Sequence, residues 1–143
     1  MTQVEAEAII EKLGLARHPE GGWFRQTWIG GEGIGGRAAG TSILFLLAAE
    51  EHSHWHRIDA TEIWHFHAGA PLNLRIARTA AGPAEVLRLG PDVLAGDQPQ
   101  GIVPPGYWQA AESCGGWSLV GCSVSPAFRF EGFELAPPGF DIP

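Results

Sequence analysis

The chain has 143 residues, 45% of them hydrophobic and 17% charged, with a net charge of −7. That size and composition suit one folded domain, residues 1–143, with a sizeable core, and they exclude a disordered chain. Nine Lys and Arg stand against 16 Asp and Glu, and Lys12 is the only lysine, which excludes the basic face of a nucleic-acid binder and a polybasic membrane-docking surface.

Residues 2–13 read as a short helix. Thr2 and Glu5 have capping-box spacing, Val4, Ala6, Ile9, Ile10 and Leu13 supply an apolar side, and Gly14 is placed to end it. A lid or a packing element is the expected role. The pattern then turns strand-like at Trp23–Trp28. The glycine-rich run at 30–36 lacks the Gly-Lys-Ser/Thr ending of a phosphate loop, and no helix pattern follows it, so it reads as a β-connection. Thr41–Ala48 reads as a buried strand. Further strands are predicted at 53–58, 62–68, 72–78, 84–89, 100–104, 107–111, 117–124 and 132–135, separated by Gly and Pro turn signals. The tail from Pro137 reads as irregular. Short strands at this spacing indicate an all-β sandwich or barrel behind one short N-terminal helix.

No apolar run reaches the roughly 18–20 residues that span a bilayer. The N-terminus carries no basic-then-apolar export pattern. Cys114 and Cys122 do not make a disulfide framework. The expectation is a cytoplasmic protein with free thiols and no membrane partner.

Five of the six histidines fall between residues 52 and 67. Strand alternation puts His54 and His56 on one face, joined by His52 if the strand reaches it. In the next strand Glu62, Trp64 and Phe66 share one face, and His65 and His67 the other. The apolar pair points the Glu62 face inward. A buried carboxylate needs a metal, a cation or hydrogen-bond donors. Three readings follow: a divalent-metal site on His54, His56 and Glu62, a metal-free His–Glu acid/base pair, or pocket histidines without chemistry.

His54-x-His56, Glu62 and Gly69 resemble the first motif of the cupin superfamily, with one residue more than usual between His56 and Glu62. Pro104-Pro105-Gly106 matches part of the second motif. Gln109 stands where that motif places a metal-binding His. Longer blocks are similar to the Cupin_5 (DUF985) family: His18-Pro19-Glu20-Gly21-Gly22, Glu62-Ile63-Trp64-His65-Phe66 and Val103 to Gln109. This resemblance implies a cupin jelly-roll β-barrel, a homodimer and a ligand cavity at the barrel mouth.

The expected site therefore has His56 as acid or base, Glu62 orienting it, and a polar small molecule as ligand. Arg25 is a candidate carboxylate or phosphate binder, if its strand face is inward. Trp64 and Trp108 are candidates to stack on a ring, and Gln109 to hydrogen-bond the ligand. If a metal is bound, His54, His56, Glu62 and Gln109 are its expected ligands. The activities that fit are a metal-free sugar epimerase or isomerase, a metal-dependent cupin oxygenase or isomerase, or a non-catalytic binding or sensing module. Glu20 either caps its turn or contacts the pocket, with a structural role the first expectation, and His18 belongs to a turn remote in sequence from the cluster.

Overall fold

The computed structural model describes residues 2–143. Helix α1 (Gln3–Leu13) opens on the predicted box: the Glu5 amide donates to Thr2 Oγ1 (3.1 Å) and the Thr2 amide to Glu5 Oε1 (2.7 Å). It closes on Gly14 in the left-handed conformation. The helix covers part of an outer sheet face, with Ala6 packed among Leu46, Ala48 and Trp117. It is a packing element.

Eleven strands follow: β1 (Ala16–Arg17), β2 (Trp23–Ile29), β3 (Thr41–Ala48), β4 (His52–Ile58), β5 (Thr61–Gly69), β6 (Leu72–Ala77), β7 (Glu85–Leu89), β8 (Gln100–Val103), β9 (Trp108–Ser113), β10 (Trp117–Ser125) and β11 (Phe133–Leu135). They form two antiparallel sheets, ordered β1-β2-β3-β10-β5-β8 and β11-β4-β9-β6-β7. The expected all-β jelly roll with one N-terminal helix is what the chain adopts, as two facing sheets. The predicted strands appear within a residue or two of their expected ends.

Alternation along these strands builds the core. Phe45 and Leu47, Trp64, Leu72 and Leu74, Val120 and Cys122 face one another between the sheets. Phe45 meets Trp64 edge to face, with ring centroids 5.8 Å apart. Each such buried side chain contributes about 1.5–3 kcal/mol over its exposed state. Two irregularities matter for the site. β4 carries one extra residue against β9, between Ser53 and His56. The turn His18–Gly22, between β1 and β2, packs onto that bulged stretch.

Candidate functional site

Between the sheets lies a cavity of about 90 Å³, lined at its polar end by His18, Glu20, His56, Glu62 and Cys122 and at its apolar end by Phe24, Ile43, Ile58, Val124, Phe128 and Phe130. A larger groove of about 370 Å³ lies against His52, His54, Arg75, Glu112 and Asp141, beneath the C-terminal tail. Its polar groups are already matched to each other: Arg75 to Glu112 (2.8 Å), Trp55 Nε1 to Asp141 (2.9 Å) and His54 Nε2 to the Pro137 carbonyl (3.0 Å). The cavity between the sheets is therefore the candidate site.

Its histidine comes from the bulge. The extra residue in β4 breaks the alternation, so Ser53 reaches the Glu20 carboxyl on the inner side while His56 lines the cavity. His54, expected to share the face of His56, instead lies under the tail. This corrects its assignment to the cavity and to a metal. His56 is 1% exposed, and its Nδ1 sits 2.7 Å from the His54 carbonyl. A carbonyl only accepts, so Nδ1 carries the proton and Nε2 presents a lone pair. Glu20 Oε1 stands 3.5 Å from Nε2, a contact rather than a hydrogen bond.

Glu20 and His18 arrive on the turn that the sequence reading kept apart. Gly21 and Gly22 have φ of +110° and +78°, where side chains are strained. A Cβ on Gly21 would run into the His52 carbonyl, and one on Gly22 would lie 2.8 Å from Leu47 and Phe45. The His54 amide donates to the Glu20 carbonyl (2.8 Å), which ties the turn to β4. His18 Nδ1 accepts the Glu20 amide (3.1 Å) and stands 3.4 Å from Glu20 Oε1. The Glu-Gly-Gly run between a His and an aromatic strand was the available signal: two adjacent glycines mark a tight backbone approach.

Glu62 is 7% exposed on the inner face of β5. Gln109, fully buried, donates from Nε2 to Glu62 Oε1 (2.9 Å) and accepts the Trp64 indole N–H at Oε1 (2.7 Å). An indole only donates, so the amide orientation is forced. Gln109 and Trp64 thus support Glu62 within the core rather than lining the cavity, which corrects both as direct ligand contacts. Trp108 lies on the other side of its sheet, under the Arg57 guanidinium (4.7 Å to the ring centroid) and beside Phe140. Arg25 is exposed, because β2 turns Phe24 and Gln26 inward. Neither Trp108 nor Arg25 belongs to the cavity. His65 and His67 face away from it: His65 meets Gln100 and Ser123, and His67 lies over Gly121.

Burial sets the protonation of the site. It pushes Glu20 up to about 8 against the pull of the Ser53 hydrogen bond. It raises Glu62 to about 7, opposed by His56 and Gln109 and assisted by Glu20. It lowers His18 to about 4, helped by His56, and lowers His56 although Glu62 and the His54 carbonyl oppose it. The Cys122 thiol rises well above its ordinary range, through burial and then the two carboxyls, so it is a core thiol and not a nucleophile. At neutral pH the group holds neutral imidazoles, a mostly protonated Glu20 and a partly ionised Glu62.

The donor set does not fit a cupin metal. His54 is turned away, and the Gln109 amide oxygen belongs to an indole while its N–H₂ faces Glu62. Among the described residues no three His, Cys, Asp or Glu side chains are grouped to hold an ion.

A family model described as Cupin_5, Cupin superfamily (DUF985), matches residues 7–136. The crystal structure of a Shewanella oneidensis protein is similar, at 40% identity over 92% of this chain and 84% of that one, with a TM-score of 0.85. A hypothetical protein from Leishmania major is 31% identical over 94% of this chain and 89% of its own, with a TM-score of 0.84. Bacillus subtilis oxalate decarboxylase shares the fold, at 12% identity over 83% of this chain and 29% of its own, with a TM-score of 0.62. No curated protein matches.

Proposed function

The chain belongs to the Cupin_5 (DUF985) family of the cupin superfamily, and we propose that it binds a polar small molecule between its sheets and moves a proton on it without a metal. The observation that carries this is the His56 Nε2 lone pair, facing the cavity 3.5 Å from Glu20 Oε1. His56 takes a proton from carbon or oxygen of the ligand at Nε2, and its Nδ1–H bond to the His54 carbonyl holds the ring in the required tautomer. Glu20, at about 8, is protonated at neutral pH and returns a proton to the ligand. Glu62, at about 7, serves as the second acceptor, held by Gln109. Carboxyls poised near neutrality beside a neutral imidazole support epimerase-like or isomerase-like chemistry.

The free thiols of Cys114 and Cys122 support a cytoplasmic setting. Trp28 and Ile63 line one shallow outer groove, and Ile102 pairs with Ile63 across the strands. Trp28 and Ile102 are 54% and 58% exposed, and this apolar face supports a homodimer.

The test is proton exchange in D₂O, followed by NMR over a panel of ketoses, aldoses and 2-keto compounds. The wild type should exchange the hydrogen α to a carbonyl, and His56→Ala should lose that exchange while keeping its fold. Equal exchange in wild type and His56→Ala would overturn the proposal.

A further inference from the structure

The cavity has an unusual charge inventory. Two carboxyl groups, Glu20 and Glu62, line it together with the unbonded acceptor His56 Nε2, and no Lys or Arg lines it. Of the arginines that follow lining residues in sequence, Arg57 is engaged on Glu134 (2.8 Å) and Arg129 on Asp59 (3.0 Å), and Arg25 is exposed and does not line the cavity. The polar neighbours of the two carboxyls are Ser53, His18 and His56 for Glu20, and Gln109 and Cys122 for Glu62. With both imidazoles held neutral by burial, none of them supplies a positive charge. A carboxylate or phosphate entering here would meet two acids and no cation to neutralise it, which costs desolvation with no Coulombic return.

The opposite sign is served on every side. The His56 side chain is 1% exposed and presents its Nε2 lone pair 3.5 Å from Glu20 Oε1, beyond a good hydrogen bond, so an N–H or O–H donor entering the cavity can take it. The rim is aromatic: Phe128 meets Phe130 edge to face at 5.0 Å, and Phe130 is 59% exposed at the opening. Ring faces beside a carboxylate hold a flat cation by cation–π attraction. The volume of about 90 Å³ admits a few heavy atoms and leaves a larger frame at the rim.

We propose that the end of the ligand inserted between Glu20, Glu62 and His56 Nε2, under the Phe24–Phe128–Phe130 rim, is an organic cation with planar N–H donors, of the amidine or guanidine class. The proposal rests on reading this cavity as the ligand site. An amidinium offers paired N–H groups to one carboxylate and a further N–H to an imidazole lone pair, which is the complement of the acceptors present.

The experiment uses three isosteres of opposite charge: benzamidinium, benzamide and benzoate, each titrated calorimetrically into the full chain at pH 7.5. Benzamidinium should bind about tenfold more tightly than benzamide, and benzoate more weakly than either. Glu62→Gln should reduce the affinity for the cation about tenfold, and Glu20→Gln by less because that carboxyl is largely protonated at pH 7.5, while each leaves benzamide within about twofold. The exposed rim variant Phe130→Ala, which leaves the core intact, should weaken the cation about threefold. Circular dichroism verifies the fold of each variant. Tightest binding of benzoate, equal binding of benzamide and benzamidinium, a charge preference kept by both Gln variants, or no binding by any of the three overturns the inference. α-Hydrogen exchange on a neutral ketone, together with a benzamide preference, ends this inference and leaves the proton-transfer reading intact. Cation selectivity without exchange does the reverse.

Discussion

Replacing Glu20 with Gln should remove most of the alkaline loss of stability. Glu20 rises from its ordinary 4.5 to about 8 in the folded chain, and Glu62 from 4.5 to about 7. Between those limits the folded state holds protons that the unfolded state has released, so each group makes stability fall as pH rises. His18 drops from 6.5 to about 4 and His56 drops as well, so between about 4.5 and 6.5 the unfolded state holds imidazole protons that the folded state lacks. In that window they oppose the carboxyl protons held by the fold, and the alkaline loss is offset. Above pH 6.5 the imidazoles no longer compensate. Glu20 then loses about 1.5 pH units at about 1.4 kcal/mol each, close to 2 kcal/mol, and Glu62 adds under 1 kcal/mol. Urea unfolding of the wild type, followed by tryptophan fluorescence, should show a drop of about 2–3 kcal/mol between pH 6.5 and 8.5. A Gln side chain mimics the protonated acid, accepting from Ser53 and donating toward His56. Glu20→Gln should match the wild type below about pH 4.5, exceed it by about 2 kcal/mol at pH 6, and lose under 1 kcal/mol between pH 6.5 and 8.5. An undiminished alkaline loss in the variant would refute the assignment of a neutral buried acid at this position.

Gln109→Leu should cost about 3–5 kcal/mol in denaturant unfolding, because it leaves the Trp64 indole N–H without an acceptor and Glu62 without its donor. The loss should shrink as pH falls through about 7, where Glu62 becomes protonated in the fold. Gly21→Ala should cost about 2–3 kcal/mol or more, since φ of +110° and the His52 carbonyl both oppose a Cβ, and it should weaken ligand binding by displacing Glu20. His54→Ala should lose about 1 kcal/mol with its bond to the Pro137 carbonyl and leave ligand affinity unchanged in calorimetry. A large loss of affinity in that variant would return His54 to the site.

The strands were readable because their alternation and their Gly–Pro punctuation are local, and one face of each is buried. Glu62 was readable for the same reason: Trp64 and Phe66 share its face, and a carboxylate between them has to be inside. His54 was misread by that very rule. Period-2 reasoning assumes an unbroken ladder, and one extra residue in β4 sends His54 outward while keeping both Ser53 and His56 inward. The bulge leaves no mark in the amino acids of β4 itself, because it is set by pairing with β9 and by the turn packed over it. Arg25 failed on a question alternation cannot answer, namely which of two amphipathic faces looks in. Phe24 and Gln26 line the cavity, and Arg25 is left exposed. Gln109 was found as a polar residue facing inward, but whether its amide met a ligand or a neighbouring side chain depended on Trp64, 45 residues away.

The same bulge explains why the site is acidic. A His-x-His strand with strict alternation would place two imidazoles in the cavity beside one carboxylate. Here the second inward position is Ser53, too short to reach the cavity centre, and it serves Glu20 instead. The turn fills the vacated space with a carboxyl and a second imidazole from outside the motif. Two glycines let its backbone lie close enough for the Glu20 carbonyl to accept the His54 amide. The cavity thereby keeps two imidazoles and gains a second carboxyl, and the local balance moves toward accepting a cation. Gln109 completes the change. A histidine there would add a further nitrogen base beside Glu62, whereas the amide fixes Glu62 with an uncharged donor and leaves its charge for whatever enters. Restoring a histidine by Gln109→His tests this directly. The imidazole would either lose the Trp64 indole bond or turn away from Glu62, so the variant should be less stable by about 1–3 kcal/mol in urea. With a competing base beside Glu62, its preference for benzamidinium over benzamide should fall. A variant that keeps both full stability and full charge preference would show that Gln109 does not set the character of the site.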